Sequence, residues 1–347
     1  MESIAPALLR WYDQNKRVLP FRTVSTPYRV WVSEIMLQQT RVAAALPYFE
    51  RFMQALPTVK DLAECPQKTL DKLWEGLGYY SRARNLQKAA QKVMAEYGGV
   101  LPSQVKELVK LPGIGPYTAG AIASISFGEP VPAVDGNVLR VASRLFLDTG
   151  DVTRPDVRSR LTKAIHAMQP PDRPGDYNQA LMELGALVCV PGGPPLCQAC
   201  PLAHQCAALA AGRQTQVPVK AAPKARRTQD WTVVLAVADG AVLLNQRPAE
   251  GLLAGLWQPV LLPGHVDEAA VTAALQKLGL RAQPPQPLCK AKHVFSHLEW
   301  HMTGYLVPVA PAAAPAGHVW ADRAMLDGVY AVPGAFRAFR QVLKKCL

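Results

Sequence analysis

The stretch LVKLPGIGPYTAGAIAS, residues 108–124, decides how the rest of the chain is read. Two apolar, helix-compatible runs flank a turn containing Gly113 and Gly115, and Pro116 stands where a first helical turn favours proline. A turn without Cβ atoms lets the amides at the mouth of the second helix face a phosphate, with the helix dipole behind them. An ordinary corner between two helices would use the same residues. Tyr117 sits in that mouth, and its identity is the first clue to chemistry.

Working outward, apolar residues recur at helical spacing over 28–40, 82–97, 104–111, 137–147 and 176–189, which predicts an all-α region over 1–211. Residues 212–229 mix Pro, Ala and cations without periodicity and read as a linker. From 230 the pattern changes. WTVVLAVADGAVLLNQR places Asp239-Gly240 between two aliphatic runs, a hairpin signal. Helical spacing returns at 267–279, and HLEWHMTGYLVPV alternates like a strand, so 230–347 reads as a smaller α+β domain. The expected fold is multidomain, all-α followed by α+β.

The chain carries a formal charge of +12, concentrated in residues 1–227, where 28 Lys and Arg face 18 Asp and Glu. Such an excess suits a polyanionic partner without establishing one. The N-terminus lacks the pattern of a signal peptide, and no apolar run approaches a membrane span. The expectation is a soluble, cytoplasmic protein associated with the nucleoid of a bacterium, with nucleus or mitochondrion left open. Four of seven cysteines crowd into CVPGGPPLCQACPLAHQC as Cys189, Cys197, Cys200 and Cys206. In that setting the cluster predicts a metal site, either an iron–sulfur cluster or zinc, rather than disulfides.

Two carboxylates stand out. Glu34 lies inside an apolar helix, where burial disfavours its charge and leaves it able to donate a proton near neutrality. Asp135, in VPAVDGNVLRVASR, opens a helix and could be simply its N-cap. One protonated carboxyl and one carboxylate are the minimal tools for cleaving a glycosidic bond, and a nucleoside is a glycoside.

Together LPGIGPYTAG, the Gly/Pro loop ending at Asp135 and the four-cysteine run resemble the endonuclease III superfamily of helix–hairpin–helix DNA glycosylases. SEIMLQQT, GLGYYSRARNL and a span reaching from LPFR at 19–22 to FSH at 295–297 resemble its MutY-type adenine glycosylase branch. The resemblance implies base excision repair of adenine opposite 8-oxoguanine or guanine in double-stranded DNA. It further implies one 4Fe–4S cluster on the four cysteines, a C-terminal Nudix-like domain and a monomeric enzyme without a membrane partner.

By the same resemblance Glu34 protonates adenine N7 and handles the water, and Asp135 stabilises the oxocarbenium ion with help from Asn137. Tyr117 replaces the lysine of lyase members and lies near the sugar and Asp135, which implies a monofunctional enzyme with no or weak lyase activity. Arg17, Leu19, Arg22 and Gln179 match positions around the extruded adenine. Gln39 and Tyr79, with Leu77 nearby, match residues that wedge into the duplex. Phe295, Ser296 and His297 match the loop that recognises 8-oxoguanine, and EAAVTAALQKLGL has almost none of the glutamates of a catalytic Nudix box, which predicts no pyrophosphatase activity. Leu139 stands where some members carry a DNA-trapping lysine, and the gap from Cys189 to Cys197 is one residue longer than the family pattern, predicting a bulge. The rival readings are a bifunctional lyase, opposed by the missing hairpin lysine, and an inactive damage-binding scaffold, opposed by the presence of Glu34 and Asp135.

Overall fold

The computed structural model describes residues 3–222 and 225–346. Met1, Glu2 and Leu347, at the ends of the expected domains, and Pro223 and Lys224, in the expected linker, lie outside the described residues. Packing divides the chain into two units, Met1–Glu64 with Asn85–Pro223, and Cys65–Arg84 with Lys224–Leu347.

The first unit is helical. Helices Ala5–Asn15, Gly136–Leu145, Pro155–His166 and Pro174–Leu187 enclose a core that includes Leu8, Tyr12, Val141, Leu161, Tyr177 and Leu184. Each such fully buried aliphatic side chain contributes about 1.5–3 kcal/mol over its exposed state. Pro27–Leu37 packs on Pro116–Phe127, which in turn packs on Pro174–Leu187. Two glycines permit close approach within this region. A Cβ at Gly120 would lie 2.2 Å from the Pro132 carbonyl oxygen, and one at Gly185 would lie 2.7 Å from Asn137 Cβ.

The helix expected over 28–40 ends at Leu37, because Gln39 takes a left-handed conformation (φ 57°) that cannot continue it. The expected 104–111 helix is one turn, Val105–Leu108, before the hairpin tightens.

The second unit is a mixed seven-stranded sheet of β1 (Arg227–Ala238), β2 (Ala241–Gln246), β3 (Trp257–Pro263), β4 (Gln286–Pro287), β5 (Ala291–Val294), β6 (Leu298–Pro308) and β7 (His318–Ala321). The order is β4-β6-β1-β3-β2-β7, with β5 also on β6; β1 and β6 run parallel, from Arg227 opposite Leu298 to Val237 opposite Pro308. Asp239 and Gly240 both take positive φ, the two-residue turn that the sequence predicts there.

Alternation along β1 sends Val233 and Leu235 to a core shared with Trp300, Phe336 and Phe339, and Val234 and Ala236 to another shared with Val271 and Leu275. Helix Glu268–Lys277 therefore covers one face and Arg337–Cys346 the other. The sequence gives β1 to the linker up to Gln229, whereas pairing starts at Arg227.

Packing also places Cys65–Arg84, inside the segment expected as part of 1–211, with the sheet. Periodicity along a chain carries no trace of such an exchange through space. No helix among the described residues is long and apolar enough to cross a membrane.

Candidate active site

Pro27–Leu37 starts cleanly because Thr26 accepts a hydrogen bond from the Arg29 amide, and its apolar residues are almost all buried. Glu34 is buried with them, 8 % exposed. Burial is the main force that pushes its carboxyl up to about 7, and the nearby Asp135 charge adds to it. The hydrogen bond from Tyr117 and the charge of Arg22 pull the other way.

Tyr117 occupies the first turn of Pro116–Phe127, and its hydroxyl donates to Glu34 Oε2 at 2.5 Å and lies 3.5 Å from Met182 Sδ. Its hydrogen bond thus goes to Glu34, and the Asp135 charge acts on it as well. Burial, followed by the charges of Glu34 and Asp135, holds the phenol well above its ordinary range, so it stays a proton donor.

Asp135 is both an N-cap and a neighbour of the acid. Its Oδ1 accepts from the Val138 amide at 2.8 Å, and its Oδ2 accepts from Asn137 Nδ2 at 2.7 Å. Burial raises its pKa while these hydrogen bonds oppose the rise. Asn137 is fixed in turn by Arg140, whose Nη2 donates to Asn137 Oδ1 at 2.8 Å and to the Gly185 carbonyl at 2.8 Å; Arg140 Nε donates to the Cys189 carbonyl at 2.8 Å.

Beside these groups Arg17 grips Glu183 with Nε at 2.7 Å and Nη2 at 2.8 Å. Arg22 reaches Glu183 Oε2 at 3.0 Å and Gln179 Oε1 at 3.1 Å. Glu183 is 1 % exposed, yet the two guanidiniums hold its carboxylate down to about 2 against the cost of burial. Leu19 is buried at the start of the short helix Pro20–Thr23. Sequence reasoning omits Glu183, although a carboxylate within the apolar run ALMELGAL carries the same signal as Glu34.

In the hairpin, Gly113 has φ 78°, and a Cβ there would fall 2.8 Å from Asn85 Cβ. Gly115 differs: its φ of −90° suits any residue, and nothing lies within 4 Å of where its Cβ would be. Leu139 is buried in the first unit's core, 4 % exposed.

Cys189, Cys197, Cys200 and Cys206 line one cavity together with Val188, Pro195 and Leu209. Among the described residues no three His, Cys, Asp or Glu side chains converge closely enough to hold a metal ion. Four thiols around one cavity offer the donor set of an iron–sulfur cluster or of zinc. Arg144 Nη1 donates to Cys189 Sγ at 3.2 Å and to the Val190 carbonyl at 3.0 Å. The longer gap is taken up by irregular chain at 190–195, closed by the Leu196 amide on the Val188 carbonyl at 2.9 Å.

In the second unit Leu77 is buried and Tyr79 is exposed with φ 48°. The Tyr79 hydroxyl lies 2.9 Å from Ser296 Oγ, and the Arg82 guanidinium stacks over the Trp74 and Tyr79 rings. Phe295 packs edge-on against Trp300, while Ser296 and His297 are exposed. Gln39 belongs to the first unit. Both Gln39 and Tyr79 are exposed, non-glycine residues held in the left-handed region, a strain of order 1–3 kcal/mol.

Residues 32–167 match the family described as "HhH-GPD superfamily base excision DNA repair protein", and residues 232–341 match the NUDIX domain. The chain is 39 % identical to the adenine DNA glycosylase of Mus musculus over 90 % of this chain and 72 % of that one. It is 32 % identical to the adenine DNA glycosylase of Buchnera aphidicola subsp. Baizongia pistaciae over 87 % of this chain and 84 % of that one. Among solved structures it resembles a thermostable thymine-DNA glycosylase, with TM-score 0.55 and 26 % identity over 59 % of this chain and 94 % of that one. A non-covalent endonuclease III–DNA complex gives TM-score 0.51 at 24 % identity over 62 % of this chain and 98 % of that protein, a likeness of fold. With its glycosylase-type helical unit, its Nudix-like sheet and these relatives, the chain belongs to the adenine DNA glycosylase family.

Proposed function

We propose that this DNA glycosylase hydrolyses the N-glycosidic bond of adenine paired with 8-oxoguanine, and less well with guanine, without cutting the strand. The observation that carries the reading is the buried Glu34 carboxyl, joined to Tyr117 at 2.5 Å and pushed up to about 7, near the helix-capping Asp135. A carboxyl poised near neutral pH protonates the departing base, which makes adenine a better leaving group. Asp135, next to it, balances the positive charge that develops on the sugar. Asn137, held by Arg140, keeps the Asp135 carboxylate oriented.

Tyr117 supplies a hydroxyl and no amine, so no Schiff base forms at the hairpin and water completes the reaction. Arg17, Arg22 and Gln179 form the polar wall that receives the extruded base, with Glu183 fixing both arginines. Gly113 and Gly115 keep the hairpin amides open to a phosphate. Gln39 and Tyr79 enter the duplex, with the buried Leu77 packed near Tyr79, and Ser296 and His297 meet the base opposite adenine.

The four cysteines suit a 4Fe–4S cluster, which when bound cross-links the 189–206 loop; hydrolysis needs no electrons from it. Incubation with an A:8-oxoguanine duplex tests the reading. Strand breaks that appear only after hot alkali support a monofunctional adenine glycosylase. Breaks without alkali, or none in either condition, overturn it.

A further inference from the structure

Within its unit the segment Cys65–Arg84 is tied to the Nudix-like sheet region around one half-buried carboxylate, Glu75. Its Oε1 accepts from Arg340 Nη1 at 2.6 Å and from the Val332 amide at 3.1 Å, and its Oε2 accepts from Lys72 Nζ at 2.5 Å. The same Lys72 ammonium donates to the Leu326 carbonyl at 2.8 Å and the Tyr330 carbonyl at 3.3 Å. Arg340 is held from its far side by the Leu326 carbonyl and Asp327. Glu75 is thus met by two cations and an amide, all largely withdrawn from water, with side-chain exposures of 13 % for Glu75, 15 % for Lys72 and 25 % for Arg340.

Further ties flank this hub. Lys68 lies over the Tyr330 ring at 4.3 Å, and Arg84 donates to the Ala254 carbonyl. Between the hub and Arg84 lies the Gly76–Tyr79 turn, in which Gly76, Gly78 and Tyr79 all take positive φ. Nothing in that local sequence forces Tyr79 into a left-handed conformation. The turn's carbonyls are held by Trp74 Nε1 on Gly78 at 3.0 Å and by Arg82 Nη2 on Leu77 and Gly78 at 3.2 Å. The two ends of the segment are tied by the hub and Arg84, and the Tyr79 hydroxyl adds its contact with Ser296 at 2.9 Å.

We propose that Glu75 is a positioning residue for discrimination of the base opposite adenine, acting through Arg340 and Lys72 to hold Tyr79 against Ser296. This rests on the reading that Tyr79 and Ser296 meet the damaged base. A charged hub suits the task better than an apolar contact, because three directional donors fix the rotation of the turn as well as its depth.

The test measures single-turnover adenine release from A:8-oxoguanine and A:G duplexes for the full chain and for Glu75→Gln, Arg340→Met, Tyr79→Phe and the double variant Glu75→Gln/Tyr79→Phe. The expected result is that Glu75→Gln and Arg340→Met each shrink the preference for 8-oxoguanine roughly tenfold, mainly by slowing the A:8-oxoguanine reaction. Adding Glu75→Gln to Tyr79→Phe lowers the preference no further, since both act on one contact. Circular dichroism of each variant checks folding; should Glu75→Gln fail to fold, Arg340→Met with its own Tyr79→Phe partner carries the comparison. A preference unchanged in the folded variants, or additive losses in the double variant, overturns the positioning role. Equal rates on the two duplexes in the parent overturn instead the reading on which it rests.

Discussion

The Tyr117 hydroxyl donates to Glu34 Oε2 over 2.5 Å, so the hairpin helix and the apolar helix before it meet at one proton. That bond stabilises the carboxylate form and is among the forces that lower the Glu34 pKa against burial. Tyr117→Phe keeps the ring and deletes the bond, and the Glu34 pKa rises further. Base release should persist near pH 7, slowed about tenfold, and the alkaline limb of its pH profile should move upward. An unshifted limb would mean that the profile reports some other group.

The proposed role of Glu34 ties base release to stability. Its folded pKa, about 7, lies above the ordinary carboxylate value of 4.5, so the folded state binds this proton more tightly than the unfolded chain. The associated stability is fully present below about pH 4.5 and is lost as pH rises through about 7. Glu34→Gln removes that dependence. It should match the parent in acid, exceed its stability by up to roughly 3 kcal/mol around pH 8, and lose at least a hundredfold in base release. Thermal melts across pH, read beside single-turnover rates, decide both halves.

Asp135 caps a helix and has a proposed catalytic role, which substitution can separate. Asparagine keeps a side-chain oxygen for the Val138 amide and loses the charge, whereas alanine loses the cap as well. Asp135→Asn should abolish adenine release with the melting temperature little changed, and Asp135→Ala should cost a further ~1 kcal/mol of stability. A stable Asp135→Asn variant with near-normal turnover would reduce Asp135 to its capping role.

Much of this was legible in the chain, and for physical reasons. Burial of Glu34 follows from a carboxylate in an apolar helical run, and the Asp239-Gly240 hairpin from residues that tolerate positive φ. What escaped depends on contacts distant in sequence. Glu183 meets Arg17 across 166 positions, and Glu75 meets Arg340 across 265. The left-handed conformations of Gln39 and Tyr79 are imposed by their surroundings, and neither residue type announces them. Gly113 and Gly115 look equivalent in LPGIGPY, yet only one has a neighbour that forbids a side chain.

The buried Glu183 pair offers a test at the other end of the pH scale. Its pKa, held down to about 2, gives stability that is present above the ordinary 4.5 and lost as pH falls toward about 2. Glu183→Gln leaves Arg17 and Arg22 facing each other without an anion and should cost about 3–5 kcal/mol near neutrality. The deficit should shrink in urea titrations carried out around pH 3. A deficit independent of pH would place the damage in packing rather than charge.

Finally, the two hairpin glycines should respond differently to the same added methyl. Gly113→Ala forces φ 78° on an L-residue and drives a Cβ to 2.8 Å from Asn85 Cβ, between two elements that cannot both yield. It should cost about 1–3 kcal/mol of stability. Gly115→Ala has an allowed φ and open space around its Cβ, so the melting temperature should hold. Its methyl would instead occupy the face left clear before the Pro116–Phe127 N-terminus, where a phosphate oxygen approaches the amides. Duplex affinity should fall about tenfold, with a shallower dependence on salt as one phosphate contact is lost. Unchanged affinity and salt slope for Gly115→Ala would show that the backbone phosphate sits elsewhere.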